Sequence, residues 1–272
     1  MTTYRELVNA LRGIVPDRGR PVIVHASLSA LGDVSGGAET VVGALVSTYS
    51  SVVTPAFTYQ TMLIPEVGPP DNGIEYGSGT EQNARAEFFR PDLPVHKSIG
   101  AIPEALRRLE RPAGSPPARR SAHPILSFTG VNADAALQAQ TLQEPLAPIR
   151  LLAEQGGTVL LLGVDHTRNT AIHLAEALAG RKQFLRWALT PQGVVECPAF
   201  PGCSDGFEAI APHLSEVTRW TTLGEARLQA IPLRELVQVA RRLIQADPQA
   251  LLCQSPDCLR CQAARDNSEA GM

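Results

Sequence analysis

Residues 158–176, TVLLLGVDHTRNTAIHLAE, decide how this chain folds. Residues 158–164 are almost wholly apolar, β-branched or leucine, which is the pattern of a strand covered on both faces. Residues 165–169 are polar and predict a loop, and residues 170–179 predict a helix. In α/β sheets, ligands bind at the loops beyond the carboxyl ends of such strands. Thr170, His173 and Glu176 are spaced three apart, so neighbours in the series share a helix face. An imidazole there, beside a hydroxyl and a carboxylate, is a candidate general base. The competing reading is a polar residue near a helix start that is satisfied by its neighbours.

The same pattern extends outward. Thr3 and Glu6 form a capping box ahead of Tyr4, Leu7, Val8 and Leu11 at helical spacing. A short buried strand is expected over 21–26, then a helix opened by Gly36 and Gly37 with Val41, Val42, Leu45 and Val46 inward, then a strand over 51–57. Helix, strand, helix and strand in this order predict a βαβ unit, hence an α/β fold. Helices are expected over 98–108, 131–140, 148–155 and 204–211, and strands over 125–128, 184–189, 193–197 and 225–231. Pro232 opens a last helix whose apolar stripe runs Leu233, Leu236, Val237, Ala240, Leu243 and Ile244. No repeat and no linker interrupts the pattern, so residues 1–272 read as one domain. Within it, residues 58–98 lack periodicity and read as a substrate-side loop region. Residues 247–272 read as a cysteine-containing tail.

Composition excludes several classes. With 44% hydrophobic residues the chain can bury a core, which argues against disorder. No apolar run approaches the roughly 20 residues that span a bilayer. The segment MTTYRELVNALRGI is amphipathic and charged, unlike a secretory signal, so a cytoplasmic protein without a membrane partner is expected. Net charge is −3, and the only local basic cluster is Arg107, Arg108, Arg111, Arg119 and Arg120. Its loose spacing, without interleaved aromatics, argues against nucleic acid and suits a small anion such as a phosphate, or simply a solvated loop. The odd count of 5 cysteines predicts reduced thiols.

The residues also resemble a known family. VIVHASLSALGDVSGG (22–37), TPAFT (54–58), SIGAIPEALRR (98–108), RRSAHPILSFTGVNADA (119–135), GGTVLLLGVDHTRNTAIHLAE (156–176) and PGCSDGF (201–207) follow one another as in the aminoglycoside N3-acetyltransferase family. The resemblance implies a single-domain α/β fold distinct from the GNAT acetyltransferases, with a mixed, largely parallel central sheet flanked by helices. It implies transfer of an acetyl group from acetyl-CoA to an amine, without a catalytic metal. The family usually acts on the 3-amino group of a 2-deoxystreptamine ring.

On this resemblance His173 is the general base, a role for which histidine is the usual residue type. Either Glu176 or Asp165 would orient it, and Thr170 would donate to the developing oxyanion or simply start the helix. The contacts to CoA implied are His25, Ser27, Leu28 and Ser29 after the first strand, and Arg120, Ser121, His123 and Ser127 further on. A guanidinium suits phosphate because its fork donates two parallel hydrogen bonds. For Ser27, Ser29 and His123 the alternative is local turn bonding.

Two segments depart from the family pattern. Residues 83–100, NARAEFFRPDLPVHKSIG, replace an acidic and aromatic stretch. The acids of the loop, Glu66, Asp71, Glu75, Glu81, Glu87 and Asp92, are diluted by Arg85, Arg90 and Lys97, so a non-aminoglycoside amine is a second expectation. CQSPDCLRC adds Cys258 and Cys261 at C-x-x-C spacing with Cys253 nearby, a candidate structural zinc site that needs a fourth ligand from Cys197, Cys203 or a histidine. Rival mechanisms are an acetyl-Cys203 intermediate and a metal hydrolase built on His166 and His173. The rival class is a non-catalytic protein that binds CoA or a small molecule. Oligomeric state is not legible.

Overall fold

The computed structural model describes residues 1–15, 17–110, 113–115 and 117–270. Arg111 of the basic cluster lies outside the described residues. The elements are α1 (Tyr4–Ile14), β1 (Val22–Ala26), α2 (Gly37–Thr48), β2 (Val52–Pro55), β3 (Met62–Leu63), α3 (Thr80–Ala84), α4 (Ala101–Arg107), β4 (Arg119–Arg120) and β5 (Phe128–Val131). They continue with α5 (Asp134–Gln138), α6 (Ala147–Glu154), β6 (Thr158–Leu162), α7 (Ala171–Leu178), β7 (Phe184–Thr190), β8 (Gly193–Phe200), β9 (Arg219–Leu223), β10 (Ala226–Pro232), α8 (Leu233–Ala246) and α9 (Leu259–Ala270). Among these residues no helix is long and apolar enough to cross a membrane.

A seven-stranded sheet runs β4-β5-β2-β1-β6-β10-β9. The expected mixed α/β sheet is present, but it is parallel only at its centre. β2, β1 and β6 are parallel neighbours, and the other four pairings are antiparallel. The reason at one edge is connection length. Only Gly224 and Glu225 join β9 to β10, and two residues make a hairpin but not a crossover.

The apolar run that opened the reading is β6, and both of its faces are buried. Val159 and Leu161 point into a core shared with α5, α6, α7 and α8, whereas Leu160 and Leu162 point into the core beneath α1, α2 and α4. Each of the three leucines is wholly buried and contributes about 2 kcal/mol. The capping box at Thr3 and Glu6 forms, with the Glu6 carboxylate accepting the Thr3 N–H at 2.8 Å.

Several boundaries differ from the expectation. The strand expected over 125–128 begins at Phe128, because His123 Nδ1 accepts the N–H groups of Ile125 (3.1 Å) and Leu126 (3.0 Å) and folds that segment into a turn. The helix expected over 131–140 shrinks to α5, since Val131 belongs to β5 and Asn132 adopts φ 54°. The helix expected over 204–211 is a 3-10 helix, Phe207–Leu214, with Pro212 inside it and one N–H fewer to bond. The tail carries α9. Residues 58–98 hold β3 and α3, and Asn72 ties them to β7 by donating to Leu185 O (3.0 Å) and accepting its N–H (2.8 Å). β3, β7 and β8 form a second, antiparallel sheet.

Candidate active site

A cleft of ≈ 730 Å³ opens where the chain leaves β1, β2 and β6. β6 is followed by Gly163, whose φ is 68° and where a Cβ would stand 2.8 Å from Ala30 Cβ. Glycine thus lets the turn after β1, residues 27–31, close against the end of β6. That turn is knit by Ser27 Oγ, which lies 3.1 Å from Ser29 Oγ and accepts the Ala30 N–H at 3.3 Å. His25, Ser27, Leu28 and Ser29 all line the cleft.

His173 enters from α7. Asn169 Oδ1 accepts the Ala171 N–H (3.2 Å), so the helix start does not use the Thr170 hydroxyl, and Thr170 lines the cleft beside His173. His173 Nδ1 lies 2.6 Å from Glu176 Oε2, the pairing that three-residue spacing makes possible. Its ring packs edge-on against Phe207 at 4.8 Å. Glu176 is 1% exposed, and its other oxygen accepts from Arg181 Nη1 at 2.8 Å. Arg181 reaches it because Gly180, at φ 80°, ends α7 with the Arg181 N–H folded back onto Glu176 O (3.0 Å). Nη2 of Arg181 donates to the carbonyls of Pro248 (2.8 Å) and Ala250 (2.7 Å). The result is a buried imidazole–carboxylate–guanidinium relay with one end on the cleft.

Of the two carboxylates, Asp165 takes a different place. It caps the 3-10 turn His166–Arg168 by accepting the Thr167 N–H at 2.9 Å. Arg181 was not anticipated, although the Gly180 that follows the apolar helix is the local signal for it.

Arg120, Ser121, His123 and Ser127 are not among the residues lining the cleft. Arg120 donates Nε to Ser127 Oγ (2.9 Å), Nη2 to Ala56 O (2.6 Å) and Nη1 to Leu93 O. Burial and the charge of Arg107 pull it down to about 10, still protonated at neutral pH. Ser121 Oγ accepts the Phe128 N–H at 2.7 Å, and Ser127 Oγ donates to Ala56 O at 2.7 Å. The expected basic cluster does not gather on an anion site either. Arg107 pairs with Glu104 at 2.7 Å and Arg119 with Asp134 at 3.1 Å.

The cleft lining includes Lys97, Arg168 and Arg260 but only one carboxylate, Asp205. None of the six loop acids Glu66, Asp71, Glu75, Glu81, Glu87 and Asp92 lines it, and the loop reaches it only through Tyr59 at one end and Lys97 and Ser98 at the other. Burial, with the charges of His166 and His173, pushes His25 down to about 3, so this imidazole is neutral at neutral pH. Its Nε2 is buried with no hydrogen-bond partner among the described residues. His166 is not among the residues lining the cleft, and its Nδ1 lies 3.2 Å from Asn169 Nδ2. The two histidines do not belong to any gathered set of three or more metal-ligand side chains among the described residues. Cys203 lies off the cleft, beside three other cysteines.

Comparison with known proteins gives the family and the fold. The sequence profile of the aminoglycoside 3-N-acetyltransferase family matches residues 23–245. Aminoglycoside N(3)-acetyltransferase III of Salmonella sp is 31% identical over 242 residues, covering 78% of this chain and 79% of that protein. The crystal structure of aminoglycoside acetyltransferase AAC(3)-IVa, as apoenzyme, matches with a TM-score of 0.77 at 25% identity over 97% of each chain. AAC-IIIb in its binary form with CoASH shares the fold, with a TM-score of 0.70 at 23% identity over 90% of this chain and 96% of that one. The profile spans most of the chain, and the Salmonella relative is matched along more than two thirds of its length. The chain therefore belongs to the aminoglycoside 3-N-acetyltransferase family of acyltransferases.

Proposed function

We propose that the protein transfers the acetyl group of acetyl-CoA directly to the 3-amino group of a 2-deoxystreptamine aminoglycoside, with His173 as general base. The observation that carries this reading is the relay His173–Glu176–Arg181 ending on a cleft in a chain of this family. Glu176 holds Nδ1, so Nε2 is the nitrogen left to take a proton from the amine. As the amine nitrogen attacks the thioester carbonyl, the C–N bond forms, the C–S bond breaks and CoA leaves through sulfur. Thr170, free of capping duty, donates to the carbonyl oxygen as it gains charge, a role worth about 3 kcal/mol. Lys97, Arg168 and Arg260 suit the phosphates of CoA, and the 27–29 turn and neutral His25 suit its uncharged arm.

A second reading concerns the acceptor. A polycation calls for several carboxylates, and Asp205 is the single one in the lining, which favours a less cationic amine.

Thiol release from acetyl-CoA, measured against a panel of aminoglycosides and simpler amines on the parent and on His173→Ala, tests both. Turnover with a 2-deoxystreptamine compound, lost in the variant while acetyl-CoA still binds, is the expected result. Turnover with other amines alone supports the second acceptor. Tight acetyl-CoA binding without turnover on any amine would overturn the catalytic reading in favour of a binding protein.

A further inference from the structure

We propose that Cys203, Cys253, Cys258 and Cys261 form a structural zinc site that clamps the C-terminal helix to the wall of the cleft. Their four Sγ atoms all lie within 4.8 Å of one another. Zn–S bonds of about 2.3 Å in a tetrahedron put the sulfurs about 3.8 Å apart, so closure on the ion needs only a small contraction. The ligands come as a C-x4-C and a C-x2-C step sharing Cys258, with Cys203 supplied from a distant segment. Three of the four are buried and Cys258 is partly exposed. Four protein ligands leave no position for water or substrate, which marks a structural rather than a catalytic site. All four donors are soft thiolates, the set that selects zinc over harder divalent ions. Each thiol gives up its proton on ligating.

Two further observations point the same way. The Asp205 N–H donates to Cys203 Sγ at 3.4 Å, the kind of outer hydrogen bond that steadies a ligating sulfur. The small cluster under α9 also has little else to hold it. Its buried members are Cys203, Leu252, Cys253, Cys261 and Ala264, so the sulfurs are most of its core. A unit with so few apolar side chains is the kind that a metal completes.

The clamp bears on the cleft through Arg260, which lies between Cys258 and Cys261. Its Nη1 donates to Gly202 O at 2.8 Å, and Gly202 adjoins Cys203. Arg260, Gly202, Ser204 and Asp205 all line the cleft. The metal thus fixes the helix that carries Arg260 and the segment it bonds.

The test is elemental analysis of protein purified under reducing conditions from zinc-supplemented medium. The expected result is about one zinc per chain, released as a mercurial titrates the thiols. Replacement by Co(II) should give the visible bands and thiolate charge-transfer absorption of a tetrahedral S4 site. Cys258→Ser should lose the metal, whereas Cys197→Ser, in the main core outside the cluster, should keep it. The parent protein alone keeps the test valid if Cys258→Ser does not fold. Substoichiometric metal after reconstitution with zinc chloride, with the thiols of Cys203, Cys253, Cys258 and Cys261 reactive, would overturn the proposal. So would disulfides among the four cysteines, or stoichiometric iron with its own visible spectrum.

Discussion

Arg181 Nη1 lies 2.8 Å from Glu176 Oε1, the carboxylate oxygen that His173 does not use. The side chains of Arg181 and Glu176 are 5% and 1% exposed. A carboxylate this deep is costly unless its charge is balanced, and the guanidinium supplies that balance whatever the state of the imidazole. Removing one partner of such a pair typically costs 3–5 kcal/mol. Arg181→Met should therefore lower the unfolding free energy by about 3 kcal/mol in urea titration. Arg181→Lys should recover only part of it, because one ammonium cannot serve Glu176 and the carbonyls of Pro248 and Ala250 together. Equal stability of all three proteins would contradict the balancing role.

Glu176→Gln keeps the size of the side chain but removes the negative charge that lies 2.6 Å from His173 Nδ1. The proposed mechanism needs that charge in the transition state, not for binding CoA. Steady-state kinetics should show kcat down by at least about ten-fold with KM for acetyl-CoA little changed. A rise in KM at constant kcat would place Glu176 in binding instead.

Thr170, His173 and Glu176 were legible together because helix periodicity is local and fixes which side chains share a face. The choice between Glu176 and Asp165 was not, since Asp165 sits in a loop whose direction no period sets, and it caps a turn instead. Arg120 illustrates a different failure. Charge in a sequence does not reveal which way a guanidinium faces, and this one turns inward onto Ala56, Leu93 and Ser127. The strand at β5 was misplaced because side-chain-to-backbone bonds at His123 outcompete extended pairing over the first residues. Cys203 joins Cys253, Cys258 and Cys261 only through tertiary folding, so the C-x-x-C was visible but its fourth partner was one of several choices.

If Lys97 and Arg168 face the phosphates of CoA, their charge acts on cofactor affinity. Lys97→Ala and Arg168→Ala should each raise KM for acetyl-CoA several-fold, by about 1 kcal/mol for an exposed charged contact. Added salt should shrink the difference. An acetyl thioester truncated before the diphosphate should show no difference between parent and variants. A loss that persists with the truncated donor would move these residues to the acceptor side.

His123 gives stability a pH dependence. Burial pushes it down to about 4, whereas an unfolded histidine titrates near 6.5. Between those values the unfolded chain binds the extra proton, so stability is full above about pH 6.5 and falls as pH drops toward 4. The loss is about 1 kcal/mol per pH unit in the middle of that window. His25, pushed down to about 3, adds a second contribution of the same sign. Asparagine at 123 keeps an acceptor for the N–H groups of Ile125 and Leu126 but does not titrate. Urea unfolding of His123→Asn at pH 7 and pH 5 should show a shallower slope than the parent, and equal slopes would mean that His123 is protonated in the folded chain.

Gly163 is the point where the fold and the cleft depend on one missing methyl group. An alanine there would hold φ near 68° and would place its Cβ 2.8 Å from Ala30 Cβ. The backbone term alone costs about 1 kcal/mol, and relieving the contact requires the 27–31 turn to move away from β6. Gly224 separates the two effects, since its φ is 59° but a Cβ there meets nothing within 4 Å. Gly224→Ala should lose about 1 kcal/mol of stability with unchanged acetyl-CoA binding. Gly163→Ala should lose about twice that and also bind acetyl-CoA more weakly, because Ser27 and Ser29 move with the turn. Calorimetric binding and urea unfolding on the two variants decide it. If Gly163→Ala binds acetyl-CoA as the parent does, the 27–29 turn is not part of the cofactor site.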